Sequence, residues 1–196
     1  MNIEEKEEFL LNAFTRYQKP TSAVSIHKIA VIADQVHFPK GSIVLGVNQP
    51  QAFVYLVTNG LARSYVIDVE GNNVVRNFML EGDFLIGESL FTDTSTESFD
   101  AIEDMDCLRF KAEELRKIIL VDEYLKSAYI TILESTLRYK IQREYEFQNL
   151  DALARYETFQ ERFGSAEKRI PQNQIASYIG ITKESLSRLK RKLSNR

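Results

Sequence analysis

The hydrophobic positions of this chain change their period three times. Ile3, Phe9, Leu10, Ala13, Phe14 and Tyr17 recur at helical spacing behind a glutamate-rich start, which predicts an amphipathic helix over 3–17. Pro20, Thr21 and Ser22 interrupt it. From Ile29 to about Phe110 the texture becomes short β-branched and aromatic runs punctuated by glycine, which predicts strands. Phe53 to Val57 runs into Asn59-Gly60, a hairpin signal, and further runs follow at Leu61–Ile67 and Val74–Leu80. Gly60, Gly71 and Gly82 fall eleven residues apart, the spacing of strand plus turn in a small antiparallel barrel or jelly roll. No long helical pattern interrupts these runs, so a parallel α/β sheet is not expected.

Between Glu113 and Phe163 neither proline nor glycine occurs. Leu115, Ile118, Ile119, Leu125, Tyr129, Ile132, Leu133, Leu137, Ile141 and Tyr145 recur there in steps of three and four, predicting a long helix over 113–148. At 1.5 Å per residue such a helix spans about 40 Å. One side is expected to pack on the barrel. Leu125, Ala128, Tyr129 and Ile132 are assigned to contact with the same helix of a second copy, because two-fold dimers are the commonest oligomers. The alternative is that the whole stripe belongs to the chain's own core. Asn149 or Asp151 can cap a further helix that runs to Phe163 and ends at Gly164.

The last pattern, Ile170 to Leu193, is the most specific. Pro171 suits the first position of a helix, and Ile175, Ala176 and Ile179 give it one narrow apolar face. Gly180 can take the positive φ that stops a helix, and Thr182 can cap the next one. Leu186, Leu189 and Leu193 form the stripe of that second helix. Lys183, Glu184, Ser187, Arg188, Lys190 and Arg191 occupy its other face. Two short helices, a glycine turn and a small Ala176 where they approach read as a helix-turn-helix, whose second helix can enter a DNA major groove. A plain helical hairpin with a solvated basic face is the bland alternative.

Charge favours the first reading. From Gly164 onward there are eight basic and two acidic residues, net +6, whereas 17 basic and 26 acidic residues precede it, net −9. A phosphate-binding module attached to an acidic body has this distribution. The 44% hydrophobic and 27% charged content is otherwise ordinary. No apolar run approaches the roughly 18 residues of a membrane helix. The start MNIEEKEEF lacks the basic and apolar regions of a secretory signal, so a cytoplasmic location and no membrane partner are expected. Cys107 is the single cysteine, which excludes an internal disulfide and a multi-cysteine cluster. Asp104 and Asp106 beside it argue for a raised thiol pKa. His27 and His37 form no His-x-His pair, and no Ser-His-Asp, paired-carboxylate or phosphate-loop motif occurs. Neither a metal, an iron–sulfur cluster nor an enzymatic activity is expected.

The helix pair resembles the C-terminal helix-turn-helix of the Crp/Fnr superfamily of bacterial transcription factors. Their recognition helix reads Ser/Thr-Arg-Glu-Thr-x-x-Arg, and here the sequence is Thr182-Lys183-Glu184-Ser185-Leu186-Ser187-Arg188. The middle of the chain resembles the cyclic-nucleotide-binding fold of the same superfamily. The matching stretches are Phe38-Pro39-Lys40-Gly41, Tyr55 to Leu61, Glu81-Gly82-Asp83-Phe84 and Gly87-Glu88-Ser89. The resemblance implies an α+β protein: an N-terminal helix and antiparallel β jelly roll over 1–112, a dimerisation helix over 113–148 and a helix-turn-helix domain over 149–196.

The same resemblance implies a homodimeric, sequence-specific transcriptional regulator. Its partners would be an inverted-repeat DNA operator, with half-sites about 34 Å apart, and RNA polymerase. Base readout falls to Lys183, Glu184, Ser187 and Arg188. Arg188 can donate twice to guanine and Glu184 can accept from cytosine. Lys183 replaces the family's arginine, and a point charge suits phosphate better. Gln172, Asn173, Thr182, Ser185, Lys190 and Arg191 are the expected DNA-backbone contacts. Many members carry a small β wing beyond the recognition helix, and contacts from one are not assumed here. The effector pocket would comprise Gly87, Glu88, Ser89, Ser95 and Thr96. Ser95 stands where the family has the arginine that neutralises a cyclic phosphate, with Glu97 and Asp100 nearby. An anion beside two carboxylates and no cation is unfavourable, so cyclic AMP and cyclic GMP are not expected and the cofactor is left unassigned. The alternative function is an effector-binding or protein-interaction module whose helical tail meets a protein.

Overall fold

The computed structural model describes residues 1–16 and 22–194, without the side chain of Ser194. Tyr17, the expected break at Pro20 and Thr21, and the terminal Arg196 lie outside the described residues. The helices are α1 (Ile3–Thr15), α2 (Ala23–Val31), α3 (Ala112–Val121), α4 (Glu123–Asn149), α5 (Ala152–Phe163), α6 (Gln172–Ile179) and α7 (Lys183–Ser194). The strands are β1 (Asp34–Phe38), β2 (Ile43–Leu45), β3 (Phe53–Asn59), β4 (Ala62–Ile67), β5 (Asn73–Met79), β6 (Phe84–Leu85), β7 (Ser98–Ala101) and β8 (Met105–Lys111). They form two four-stranded sheets, ordered β1-β8-β3-β6 and β2-β7-β4-β5. The resolved pairings are antiparallel, with Val54 opposite Phe110 and Leu56 opposite Leu108 in the central β3–β8 ladder. Two compact units result: residues 1–64 with 78–136, and residues 65–77 with 137–196.

In the first unit, strand alternation sends side chains to two cores. Leu108 and Phe110 of β8 face the helices, where Leu10, Phe14, Ile26, Ile29, Leu115, Ile119 and Leu125 meet them. Met105 and Cys107 of the same strand pack with Val57, Ala62, Met79, Leu85 and Phe99. The evenly spaced glycines all fall at turns with positive φ: Gly71 in the β4–β5 hairpin, but Gly60 and Gly82 where the chain passes from one sheet to the other, so the hairpin expected at Asn59-Gly60 is a crossing between sheets. At Gly60 the reason is also steric, because a Cβ there would lie 2.6 Å from the carbonyl oxygen of Asp104.

Two expectations need correction here. Strand texture expected from Ile29 begins only at Asp34, since residues 23–31 are helical and bury Ser25, Ile26, Ile29 and Ala30 on one face. Isoleucine and valine favour strands, but tertiary burial at helical spacing overrides that weak preference. The helix expected over 113–148 is two helices, α3 and α4, separated by Asp122 in extended conformation. The Asp122 carboxylate accepts from the Leu125 amide (3.2 Å), Ser25 Oγ (2.9 Å) and Lys28 Nζ (2.7 Å), capping α4 while tying it to α2.

In the second unit, Asp151 caps α5 by accepting from the Ala154 amide at 2.9 Å. As expected, α5 ends at Phe163 with Gly164 as its C-cap. Gly164 keeps right-handed helical angles and leads into a 3₁₀ turn over Gly164–Arg169. Pro171 sits one residue outside α6, as its N-cap. Tyr156, Phe159, Phe163, Tyr178, Ile175, Ile179 and Leu186 supply the buried core.

Candidate nucleic-acid interface

Gly180 adopts the left-handed conformation (φ 72°) and ends α6, and the Ile181 amide donates back to the Ala176 carbonyl at 3.0 Å. A Cβ on Gly180 would meet the Phe147 ring at 2.6 Å, so glycine answers both the backbone angle and the contact. Thr182 then caps α7, its Oγ1 accepting from the Ser185 amide at 3.2 Å. Leu186 is fully buried, and Leu189 and Leu193 are half-buried beside it. At 100° per residue Glu184, Ser187, Arg188 and Arg191 turn away from this stripe and Lys183 stands on its flank, all exposed. Arg188 donates to Ser185 Oγ at 3.0 Å, a contact within the exposed face. Gln172 and Asn173 are exposed in the first turn of α6, and Thr182 is exposed at the head of α7.

Lys190 is placed differently from its neighbours. Its Nζ pairs with Glu167 Oε1 at 2.5 Å and lies 5.5 Å from the Tyr156 ring centre. The side chain is thus turned to the protein rather than grouped with the exposed residues of α7.

Sequence reasoning missed the polar network behind the helix pair. Glu146, fully buried, accepts from Arg143 (2.8 Å) and Arg162 (3.0 Å). Arg143 stacks on the Tyr178 ring at 3.8 Å, and Arg162 donates to the Tyr178 hydroxyl at 2.7 Å. Tyr139 donates to the Arg76 carbonyl at 2.9 Å, and burial leads the effects that hold its pKa well above the ordinary value. Ser177 Oγ accepts from the Val75 amide (3.0 Å) and donates to the Asn73 carbonyl (3.1 Å). Arginine and glutamate within a helical pattern read as solvated. The only sequence signal here was their coincidence with aromatic residues at three- and four-residue steps.

The effector-loop residues come together, but on one another. Glu88 accepts from the Thr96 amide at 2.8 Å and from its hydroxyl. Ser95 is fully buried and donates to the Glu97 carbonyl at 2.7 Å. The Gly87 amide donates to Gln51 Oε1 at 2.6 Å, and Gln51 Nε2 donates to the Ser89 carbonyl at 3.0 Å. Asp100 was expected to be an uncompensated carboxylate. Arg63 instead grips it with two 2.8 Å bonds, both side chains largely buried. The missed cation lies on β4, far from the motif in sequence.

The dimer-helix assignment is also corrected. Leu125 and Ala128 are 2% and 1% exposed in their own unit's core, with Tyr129 and Ile132 packed against it. Tyr129 accepts from the Leu90 amide at 2.8 Å. Among the apolar residues that α4 leaves exposed, Ile130 (50%), Leu137 (61%), Ile141 (58%) and Tyr145 (52%) share the opposite face, whereas Tyr124 and Phe147 lie off it.

Cys107 is buried, and burial with the neighbouring Asp106 pushes its thiol up to about 12. His27 and His37 are surface residues paired with Glu7 (2.5 Å) and Asp106 (2.8 Å). Among the described residues, no group of three or more histidine, cysteine, aspartate or glutamate side chains could hold a metal ion. No helix among them is long and apolar enough to cross a membrane.

Residues 35–122 match the profile of the cyclic nucleotide-binding domain. Comparison of the sequence with curated proteins finds no significant match. Among solved structures, FixK2 from Bradyrhizobium japonicum superposes with a TM-score of 0.77 at 21% identity, over 84% of this chain and 85% of that one. The c-di-GMP responsive global regulator CLP from Xanthomonas campestris gives 0.72 at 15% identity, over 89% and 92%. A protein from Eubacterium rectale, assigned to the Crp/Fnr family of transcriptional regulators, gives 0.66 at 19% identity, over 88% and 83%.

Proposed function

Because residues 35–122 form a cyclic nucleotide-binding domain and the chain carries the Crp/Fnr fold, we propose that the protein is a homodimeric, sequence-specific DNA-binding transcriptional regulator. One observation carries this reading. After a left-handed glycine turn, α7 buries Leu186 and turns Lys183, Glu184, Ser187, Arg188 and Arg191 outward together. Such a face has the size and polarity to enter a major groove, with Arg188 donating to guanine and Glu184 accepting from cytosine. Gln172, Asn173, Thr182, Ser185 and Arg191 position the helix on phosphates. The chemistry is recognition.

The second copy is held through the outer face of α4. Ile130, Leu137, Ile141 and Tyr145 follow steps of seven, four and four, the spacing of a helix that buries a seam against its mate. Two reading helices related by a two-fold axis require an inverted repeat with half-sites about one helical turn apart. RNA polymerase is the natural further partner of such a regulator.

Cyclic AMP is not its effector in this reading. Thr96 satisfies Glu88, Ser95 folds back on its own loop, and Arg63 is committed to Asp100. A cyclic phosphate would need a cation, and Arg63 is already neutralised by Asp100.

Selection of binding sequences from a random duplex pool tests the proposal. An enriched inverted repeat, unaffected by added cyclic AMP, is the expected result. A pool that stays random, with no salt-dependent binding, would show that the tail meets a protein instead.

A further inference from the structure

Lys190 carries one of the eight positive charges of the C-terminal tail, yet it does not stand with the others. It occupies the flank of α7 between the exposed face and the buried leucine stripe. Its Nζ donates to Glu167 Oε1 at 2.5 Å. The same oxygen accepts from the Tyr156 hydroxyl at 2.6 Å, and Glu167 Oε2 accepts from Gln160 Nε2 at 3.2 Å. Lys190 and Glu167 are 28% and 17% exposed, so this is a sheltered pair rather than a solvated one. Four side chains thereby join α5, the 3₁₀ turn and α7.

The balance of forces supports a fixed clamp. Burial alone would raise the Glu167 pKa, but Lys190, Tyr156 and Gln160 together outweigh it and hold the carboxyl below its ordinary value. Burial first, and then the Glu167 carboxylate, push the Tyr156 hydroxyl well above its usual range. A charge-assisted bond with a second donor on the same oxygen fixes direction as well as distance. Arg191, one residue on, is exposed. The two adjacent cations of α7 thus have different tasks.

We propose that Lys190 is not a phosphate contact but a positioning residue: with Glu167 and Tyr156 it sets the pitch of α7, and so the fidelity with which Arg188 and Glu184 meet base edges. This rests on the DNA-binding reading and deepens it. Its consequence is specific. Lys190 contributes to discrimination between sequences but not to the count of neutralised phosphates.

The salt dependence of binding separates the two tasks, because each phosphate contact adds about 0.9 to the slope of log affinity against log salt. The whole 196-residue chain is measured on the inverted repeat it selects and on random duplex. The variants are K190M, K190R, E167Q and R191M, each checked for folding by its thermal melt. Expected results are a slope lower by about 0.9 in R191M, and an unchanged slope in K190M. The ratio of specific to random affinity falls several-fold in K190M and in E167Q, and K190R restores it. A slope in K190M that drops as in R191M would make Lys190 a phosphate contact and overturn the proposal. An unchanged specificity ratio in both K190M and E167Q would overturn it equally. If the unaltered chain shows neither selection nor salt-dependent binding, the DNA reading fails, and this inference with it.

Discussion

The guanidinium of Arg143 lies 3.8 Å from the ring centre of Tyr178, stacked on an aromatic residue that is itself fully buried. This pair sits beside Glu146, whose two oxygens are divided between Arg143 and Arg162. A helical unit of this size has little apolar volume, and the charged network takes the place of part of a core. Such a network is valuable only when complete, because removing one member strands the others without a partner.

Glu146→Ala is therefore expected to destabilise the C-terminal unit by about 3–5 kcal/mol, the usual cost of breaking a buried ion pair. Urea unfolding followed by tyrosine fluorescence measures it. A loss below about 1 kcal/mol would mean that the two arginines find water readily and that the network is peripheral.

The two faces of α4 should respond to mutation in opposite ways. Leu137→Glu with Ile141→Glu is expected to yield a folded monomer in analytical ultracentrifugation, with operator affinity reduced. Leu125→Ala is expected to cost about 2–5 kcal/mol of stability while leaving the dimer intact. Dimers that survive the double glutamate variant would show that the exposed stripe is not the seam.

Acid should loosen the first unit through Asp122. Burial raises its pKa, but Lys28, the Leu125 amide and Ser25 more than compensate, so the folded value lies below the ordinary one. A depressed folded pKa stabilises above the unfolded value and ceases to do so as pH falls through the folded one. Stability should thus decline on the acid side of the ordinary aspartate range. Asp122→Asn should be less stable near neutrality and show a shallower acid decline, measured as denaturation midpoints across pH. Identical acid profiles would remove Asp122 from the account.

Cys107 should be inert in the native chain. With its thiol near 12 and its side chain in the sheet interior, almost no thiolate exists at neutral pH. Thiol-specific labelling is expected only on unfolding, and rapid native labelling would contradict the packing described.

The parts of the sequence that could be read correctly are those where one residue type answers a backbone requirement. Gly60 and Gly180 mark turns whose angles exclude most side chains, and Thr182 declares the start of α7. Periodicity carried the strands and the long helix, but it could not say which of the two apolar faces of α4 meets the chain's own core. Leu125 and Ala128 face inward and Ile130 and Leu137 outward, although all are at helical spacing. Asp122 breaks the helix through partners on α2 almost a hundred residues away, beyond the reach of a local pattern. The pairings of Arg63 with Asp100 and of Glu167 with Lys190 were illegible for the same reason, and nothing local marked Glu146 as buried. A charge in sequence carries no sign of whether a partner awaits it.

The most direct test of the central claim is the affinity of Arg188→Ala for the selected inverted repeat and for random duplex, measured at one salt concentration. A loss of about 1–3 kcal/mol on the repeat, smaller loss on random DNA, and relaxed preference at a single base pair of each half-site are expected. Equal losses on both duplexes would contradict the claim, because Arg188 would then be holding phosphate and α7 would not be reading sequence through that side chain.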